Sequence, residues 1–333
     1  MQFLITGVAG FIGSQVSAAL LDSGHRVFGI DNLNDYYSVD LKRARLKALQ
    51  DRPDFEFRQL DLADHETILA LPERDEIDRV IHLGAQAGVR YSLENPFAYA
   101  ASNLTGHLSV LEFCRHAAKK PMLAYASSSS VYGETALPPF HEEAPVNDPV
   151  SLYAATKRAD ELMSQTYAKL YGIGQIGMRF FTVYGPWGRP DMAYWSFTEK
   201  ILSGEKIRVF NQGRMKRDFT FIDDAVAGVV AIATRRADFA NLLRPHRIYN
   251  VGHNQPIALL DFIKTIERAT GKVANMVMEA MQPGDVTETC ADISRMQADY
   301  GYNPKVTLED GIGQFVDWYK SHRAEILSMA ETV

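Results

Sequence analysis

This chain predicts an α/β fold: a Rossmann-type, doubly wound, mostly parallel sheet with a smaller, interlaced α/β substrate lobe. Three observations predict it. Short apolar runs alternate with longer amphipathic stretches in βαβα order. A glycine-rich turn, TGVAGFIG, follows the first apolar run directly. The 333 residues, 46% of them hydrophobic, can bury one large α/β domain plus a smaller lobe.

The first run, Gln2–Thr6, lacks a basic flank and enters the glycine turn at once, so it reads as a buried strand and not a signal peptide. Gly7, Gly10 and Gly13, with Phe11 and Ile12 between the last two, lead into a helix over residues 13–23. Small residues there let the backbone approach a pyrophosphate, and a helix N-terminus favours its negative charge. The spacing is GxxGxxG instead of the GxGxxG of many dehydrogenases, and its position between strand and helix turns the reading toward a dinucleotide. The second strand, residues 26–30, ends at Asp31, 18 residues after Gly13, with Asn32 beside it. A carboxylate there accepts from the adenosine ribose and repels a 2′-phosphate, so NAD is expected in preference to NADP.

A helix over 41–50 and a strand over 55–60 follow. Asp61 and Leu62 close that strand, where either an adenine or an ordinary helix cap accounts for them. Helices over 65–71 and 103–119 flank a strand over 79–83, and strands over 122–126 and 174–181 flank a helix over 153–171. Pro186, Gly188 and Pro190 then break the pattern. Residues 1–185 are expected to form the NAD-binding domain, with 223–251 returning to it through a helix over 223–234 and a strand over His246–Val251. Residues 186–222 and 252–333 are expected to form the substrate lobe.

Tyr153 and Lys157 lie four residues apart in SLYAATK, about one helical turn, so both project from one face. An ammonium beside a phenol stabilises the phenolate and draws the tyrosine pKa toward working pH. Such a pair suits oxidation of a secondary alcohol: the base takes the hydroxyl proton while a nicotinamide takes the hydride. Four serines, Ser127–Ser130, follow the strand over 122–126, where a doubly wound sheet meets its ligand.

The formal charge of −6 argues against nucleic acid as the main partner. No apolar run approaches the ~20 residues of a membrane span, so a soluble, cytoplasmic protein is expected. Cys114 and Cys290 read as buried small hydrophobes in a reducing compartment. The nine histidines show no zinc-site spacing, His82 reads as a satisfied strand-end residue, and no metal is expected.

TGVAGFIG, Asp31, HLGAQAGVR, SSSSVYG and YAATK occur in the order seen in extended short-chain dehydrogenase/reductases. The stretches DNLNDYYSVDLKRARL (31–46), PWGRPDMA (186–193) and RDFTFIDD (217–224) make the chain resemble the UDP-glucuronate 4-epimerases of that superfamily. The resemblance covers nearly the whole chain. It implies that Ser128 hydrogen-bonds the sugar C4 oxygen, that Tyr153 is the base, and that Lys157 tunes it and holds the nicotinamide ribose. It also implies that Ser129, Ser130 and Thr182 hold the substrate carboxylate.

Related decarboxylases typically carry an acidic residue in the corresponding serine stretch, and 4,6-dehydratases an Asp–Glu pair just after the catalytic Thr; this chain has no acid in that stretch, and Ser129 and Ser130 stand in place of the pair. Arg217 is expected to clamp the diphosphate, the alternative being a surface ion pair with Asp218. Arg189 either helps bind the nucleotide or orders its loop, the alternative being an exposed loop arginine, and Asp285 either accepts a uridine ribose hydroxyl or closes a turn. Arg90 and Asn103 are expected to line the pocket, and Tyr36 and Tyr37 to pack a loop over the cofactor. Gln282 stands where related epimerases often have an arginine, leaving the second phosphate contact open.

The implied reaction is reversible C4 epimerisation of UDP-glucuronate to UDP-galacturonate through a 4-keto sugar with tightly bound NAD. Oxidative decarboxylation, epimerisation of a neutral UDP-hexose and non-catalytic NAD binding are the alternatives. The resemblance implies a homodimer through a helix pair formed by the stretches 103–119 and 153–171, the alternative being that they pack within one chain.

Overall fold

The large lobe is built on seven strands, all parallel to their neighbours: β1 Gln2–Thr6, β2 Arg26–Asp31, β3 Phe55–Gln59, β4 Arg79–His82, β5 Met122–Ser128, β6 Gln175–Phe180 and a late strand, His246–Val251. The computed structural model describes residues 1–134, 136–235, 245–282 and 284–330. The late strand pairs with β6, and the sheet runs from it through β6, β5, β4, β1 and β2 to β3. Strand order therefore reverses between β1 and β4, which opens a crevice at their carboxyl ends. β6 is buried at all six positions, as expected of a parallel strand covered on both faces.

Helices α1 Phe11–Asp22, α2 Val39–Gln50 and α3 His65–Leu69 connect the first strands. α1 begins at Phe11 with Gly10 as its cap, has no capping side chain and no acid in its first turn, and so leaves its first N–H groups for a ligand. The helix expected over 103–119 is divided. Short α4 Tyr91–Glu94 and α5 Pro96–Tyr99 lead through a π-helical turn, Ala100–Thr105, into α6 Gly106–His116. Asn103 sits in that turn because its side chain joins both backbone groups of Gln86 and the Thr156 hydroxyl. α7 Leu152–Tyr171 starts where Ser151 accepts from Ala154 N and ends at Gly172 in the left-handed region.

β5 runs two residues past its expected end because Ser127 and Ser128 pair with Arg179 and Phe180 of β6. The serine run is thus half strand and half a 3-10 turn, Ser129–Tyr132, and not a flexible loop.

The chain leaves the large sheet after Phe180. β7 Thr182–Tyr184 pairs with β9 Lys216–Phe221, which pairs with β11 Pro256–Ala258 beyond the late strand, β10. β8 Lys206–Val209 pairs with β12 Asn275–Met278. Helices α8 Ala193–Ser203, α10 Leu259–Thr270 and α12 Leu308–Ala330 pack around these strands. α9 Ile222–Thr234 packs on α1, and α11 Ser294–Tyr300 packs on β10 and α9.

Candidate active site

A cleft of about 870 Å³ runs along the carboxyl ends of β1, β2, β4, β5 and β6 to the mouth of the second lobe. Of the site residues named from the sequence, all but Asn103 line it: Gly7, Gly10, Phe11, Ile12, Gly13, Asp31, Asn32, Asp61, Leu62, Arg90, Ser128, Ser129, Ser130, Tyr153, Lys157, Thr182, Arg189, Arg217 and Asp285.

At one end the glycine turn presses against the end of β4. Gly7 has φ +72°, and a Cβ there would lie 2.6 Å from Gly84 N. A Cβ on Gly13 would collide with the Gly7 carbonyl. Close backbone packing leaves the α1 N-terminus facing the cleft, a cradle that fits a pyrophosphate. Asp31 accepts from Ala9 N at 3.1 Å and Leu33 N at 2.8 Å, so it orders the turn as well as facing the cleft. Burial raises its pKa, against those two N–H groups and the nearby Lys42 and Arg45. Asp61 accepts from Asn32 Nδ2 at 3.0 Å and Ala63 N at 2.8 Å; the cap of α3 is Asp64. The carboxylate, the glycine turn and the uncapped helix together suit the adenosine ribose and the pyrophosphate of a dinucleotide.

In the middle, α7 presents Tyr153 and Lys157 to the cleft. Lys157 Nζ donates to Ala126 O at 3.0 Å and to Asp160 Oδ2 at 3.1 Å. An ammonium has three donors, so one remains for a ligand. Burial pushes Asp160 up to about 6, with Lys157 opposing. Ser127 also lines the cleft, but its Oγ is engaged, donating to Glu161 Oε1 at 2.7 Å. Ser128 Oγ accepts from Ser130 N at 3.2 Å and donates to Ser130 Oγ at 3.1 Å. His82 Nδ1 lies 2.6 Å from Thr6 Oγ1, and burial pushes its pKa down to about 3.

At the far end, Arg217 reaches the cleft while Asp218 turns inward to accept from His253, Asn254 and Ala291 N–H groups at 2.8–2.9 Å. The Arg217–Asp218 ion pair does not form, because consecutive strand residues face opposite sides. Burial lowers the Arg217 pKa, with Asp285 opposing. Arg189 is no free loop residue: Nε and Nη2 grip Asp191 at 3.0 and 2.5 Å. Arg90 lies 3.7 Å from Asp285, and Arg90 and Arg208 flank the Phe210 ring at 5.1 and 5.0 Å.

Asn103 does not line the cleft; it is 1% exposed and fully engaged with Gln86 and Thr156. Sequence reasoning missed Lys42, Lys200, Arg208 and Phe210 on the cleft, and Asp160 behind Lys157. Only Asp160 had a visible signal, its i+3 spacing from Lys157 on a helix.

Residues 4–315 match the family described as GDP-mannose 4,6 dehydratase. The chain belongs to that family. Within the GDP-mannose 4,6 dehydratase family it is 43% identical to the probable UDP-glucuronate 4-epimerase of Rhizobium meliloti (strain 1021), over 96% of this chain and 97% of that one. It is 44% identical to UDP-glucuronate 4-epimerase 4 of Arabidopsis thaliana, over 96% of this chain and 75% of that one. The crystal structure of UDP-glucuronic acid 4-epimerase from Bacillus cereus, in complex with UDP-glucuronic acid and NAD, is similar at a TM-score of 0.88. That match is 33% identical over 96% of this chain and 99% of that one.

Proposed function

We propose that this protein reversibly inverts C4 of UDP-glucuronate to give UDP-galacturonate, with NAD held throughout. The observation that carries this reading is one cleft joining Ser128, Tyr153 and Lys157 to the neutral donors Ser129, Ser130 and Thr182, in a chain related to named UDP-glucuronate 4-epimerases.

The glycine turn and the α1 N-terminus would hold the pyrophosphate of NAD, Asp31 its adenosine ribose, and Lys157 its nicotinamide ribose. Asp61 and Leu62 would border the adenine. When bound, NAD supplies the hydride acceptor for oxidation at C4 and the donor for the return. Tyr153 takes the C4 hydroxyl proton as a phenolate, and Ser128 hydrogen-bonds the same oxygen. The positive charge of Lys157, whose free donor goes to the ribose, stabilises that phenolate through space.

Oxidation makes a β-keto acid, which loses carbon dioxide when its carboxylate carbon bond aligns with the carbonyl π system. Ser129, Ser130 and Thr182 hold the carboxylate away from that alignment. Arg217 grips the diphosphate while the 4-keto sugar turns about its link to it, with Arg90 beside it and Asp285 accepting a ribose hydroxyl. The proton and hydride then return, the hydride to the opposite face of C4.

The test is purified protein with UDP-glucuronate and no added cofactor, followed by proton NMR. A galacturono signal without carbon dioxide release is expected. Release of carbon dioxide with a pentose product would make it a decarboxylase, and no reaction at all would leave an NAD-binding scaffold.

We read the chain as two interlaced lobes: 1–185 with 223–251 for the dinucleotide, and 186–222 with 252–333 for the sugar nucleotide. The exposed Leu108 of α6 and Leu162 and Leu170 of α7 support a homodimer through that helix pair. Light scattering at twice 37.3 kDa would be the expected result. Two buried, unpaired thiols, Cys114 and Cys290, support a reducing cytoplasm as its compartment. No described helix is long and apolar enough to cross a membrane.

A further inference from the structure

Arg45 of α2 is 3% exposed, yet its hydrogen-bond partners are all neutral. Burying a guanidinium that bonds no acid is costly even with the Asp31 carboxylate nearby, and a hydrophobic side chain would fill the same space more cheaply. What it joins is therefore informative. Nη1 donates to Ala9 O at 3.1 Å and Tyr37 Oη at 2.8 Å. Nε and Nη2 donate to Trp187 O at 3.0 and 2.7 Å, and Nη2 also donates to Gly188 O at 2.7 Å. One rigid fork thus ties the glycine turn to the first residues of the 186–193 loop.

Both ends continue into the cleft. Ala9 N donates to Asp31, the carboxylate facing the dinucleotide end. Gly188 precedes Arg189, which grips Asp191, and Asp191 Oδ2 accepts from Tyr36 Oη at 3.2 Å. Tyr36 lies five residues beyond Asp31, so the bonds close a circuit around the mouth of the cleft. Trp187 sits at φ +62°, a costly conformation for a bulky residue that persists only where its surroundings fix it. The bonds from Arg45 to its carbonyl do so.

We propose that Arg45 is a positioning residue that couples the two halves of the cleft: a sugar nucleotide that orders the 186–193 loop tightens the glycine turn on the dinucleotide. This rests on the reading that the cleft holds both ligands. It answers a need of that chemistry, since cofactor lost while the 4-keto sugar turns would strand the oxidised sugar.

The experiment measures exchange of bound NAD for isotopically labelled NAD in the holoprotein, with and without saturating UDP, which cannot react. In the wild type UDP should slow exchange about 10-fold, within the usual range of coupling between sites. Arg45→Lys keeps the charge but has one nitrogen, which cannot span the four oxygens that the planar fork reaches, so the ratio should fall to about one. Tyr36→Phe cuts the circuit at its exposed rim and should also lower the ratio, which decides the matter if Arg45→Lys does not fold. A wild type indifferent to UDP, or foldable variants that keep the full ratio, would overturn the proposal. If UDP slows exchange but UDP-glucuronate is not epimerised, the coupling stands and the assigned reaction fails.

Discussion

Tyr153 and the serines behind it divide the work of the site in a way that single substitutions separate. Tyr153→Phe removes the acid–base hydroxyl and little else. Turnover should fall at least about 100-fold while NAD and UDP-glucuronate still bind, read by steady-state kinetics beside calorimetry. Wild-type turnover in that variant would remove Tyr153 from the mechanism. Ser129→Ala combined with Ser130→Ala should leave oxidation intact but free the carboxylate, so a UDP-pentose and carbon dioxide should accompany the epimer. An unchanged product ratio would count against the restraint. Ser127 illustrates why position in a motif is not enough: its hydroxyl is held by Glu161, which leaves the next three serines for the ligand.

The elements that aim those residues are joined by a buried knot. Arg179 of β6 meets Glu161 of α7 through two bonds, at 2.8 and 2.9 Å, and Glu161 also takes the Ser127 hydroxyl of β5. Both charges are almost wholly buried. Glu161→Ala leaves Arg179 without its counterion and should cost roughly 3–5 kcal/mol, measured by urea denaturation. A loss below 1 kcal/mol would mean the knot is not what joins α7 to the sheet.

The strand and helix order of the large lobe was legible because buried parallel strands read as continuous apolar runs between amphipathic helices. The glycine turn, the strand-end Asp31 and the helical Tyr153–Lys157 pair were legible because their spacing carries their geometry. The extension of β5 through Ser128 was not, since it depends on pairing with β6 and serine gives no strand signal. Nor was the division of the 103–119 helix, which follows from Asn103 bonding to Gln86 far along the chain. Lys200, Arg208 and Phe210 come from a lobe of short segments whose only route to the cleft is tertiary packing.

Across the whole molecule, three buried histidines should govern acid stability. Burial depresses His82 to about 3, His246 to about 4 and His107 well below 6.5. The unfolded chain therefore takes up protons that the folded one refuses, so the stability they confer is complete above about pH 6.5 and lost as pH falls. Asp160, raised to about 6, acts in the opposite sense: it favours the fold below about pH 4 and loses that contribution as pH rises through about 6. The histidines predict that unfolding free energy drops as pH falls from about 7.5 to about 5, with Asp160 and the other burial-raised carboxyls, Asp31 and Asp218, offsetting part of the fall. A flat profile in urea titrations would mean the histidines are charged in the folded state.

The cleft itself makes the strongest demand. If one retained cofactor takes hydrogen from C4 and gives it back to the other face, UDP-glucuronate deuterated at C4 should yield UDP-galacturonate that still carries the label at that carbon. Replacement of the label by solvent hydrogen during inversion would contradict the account.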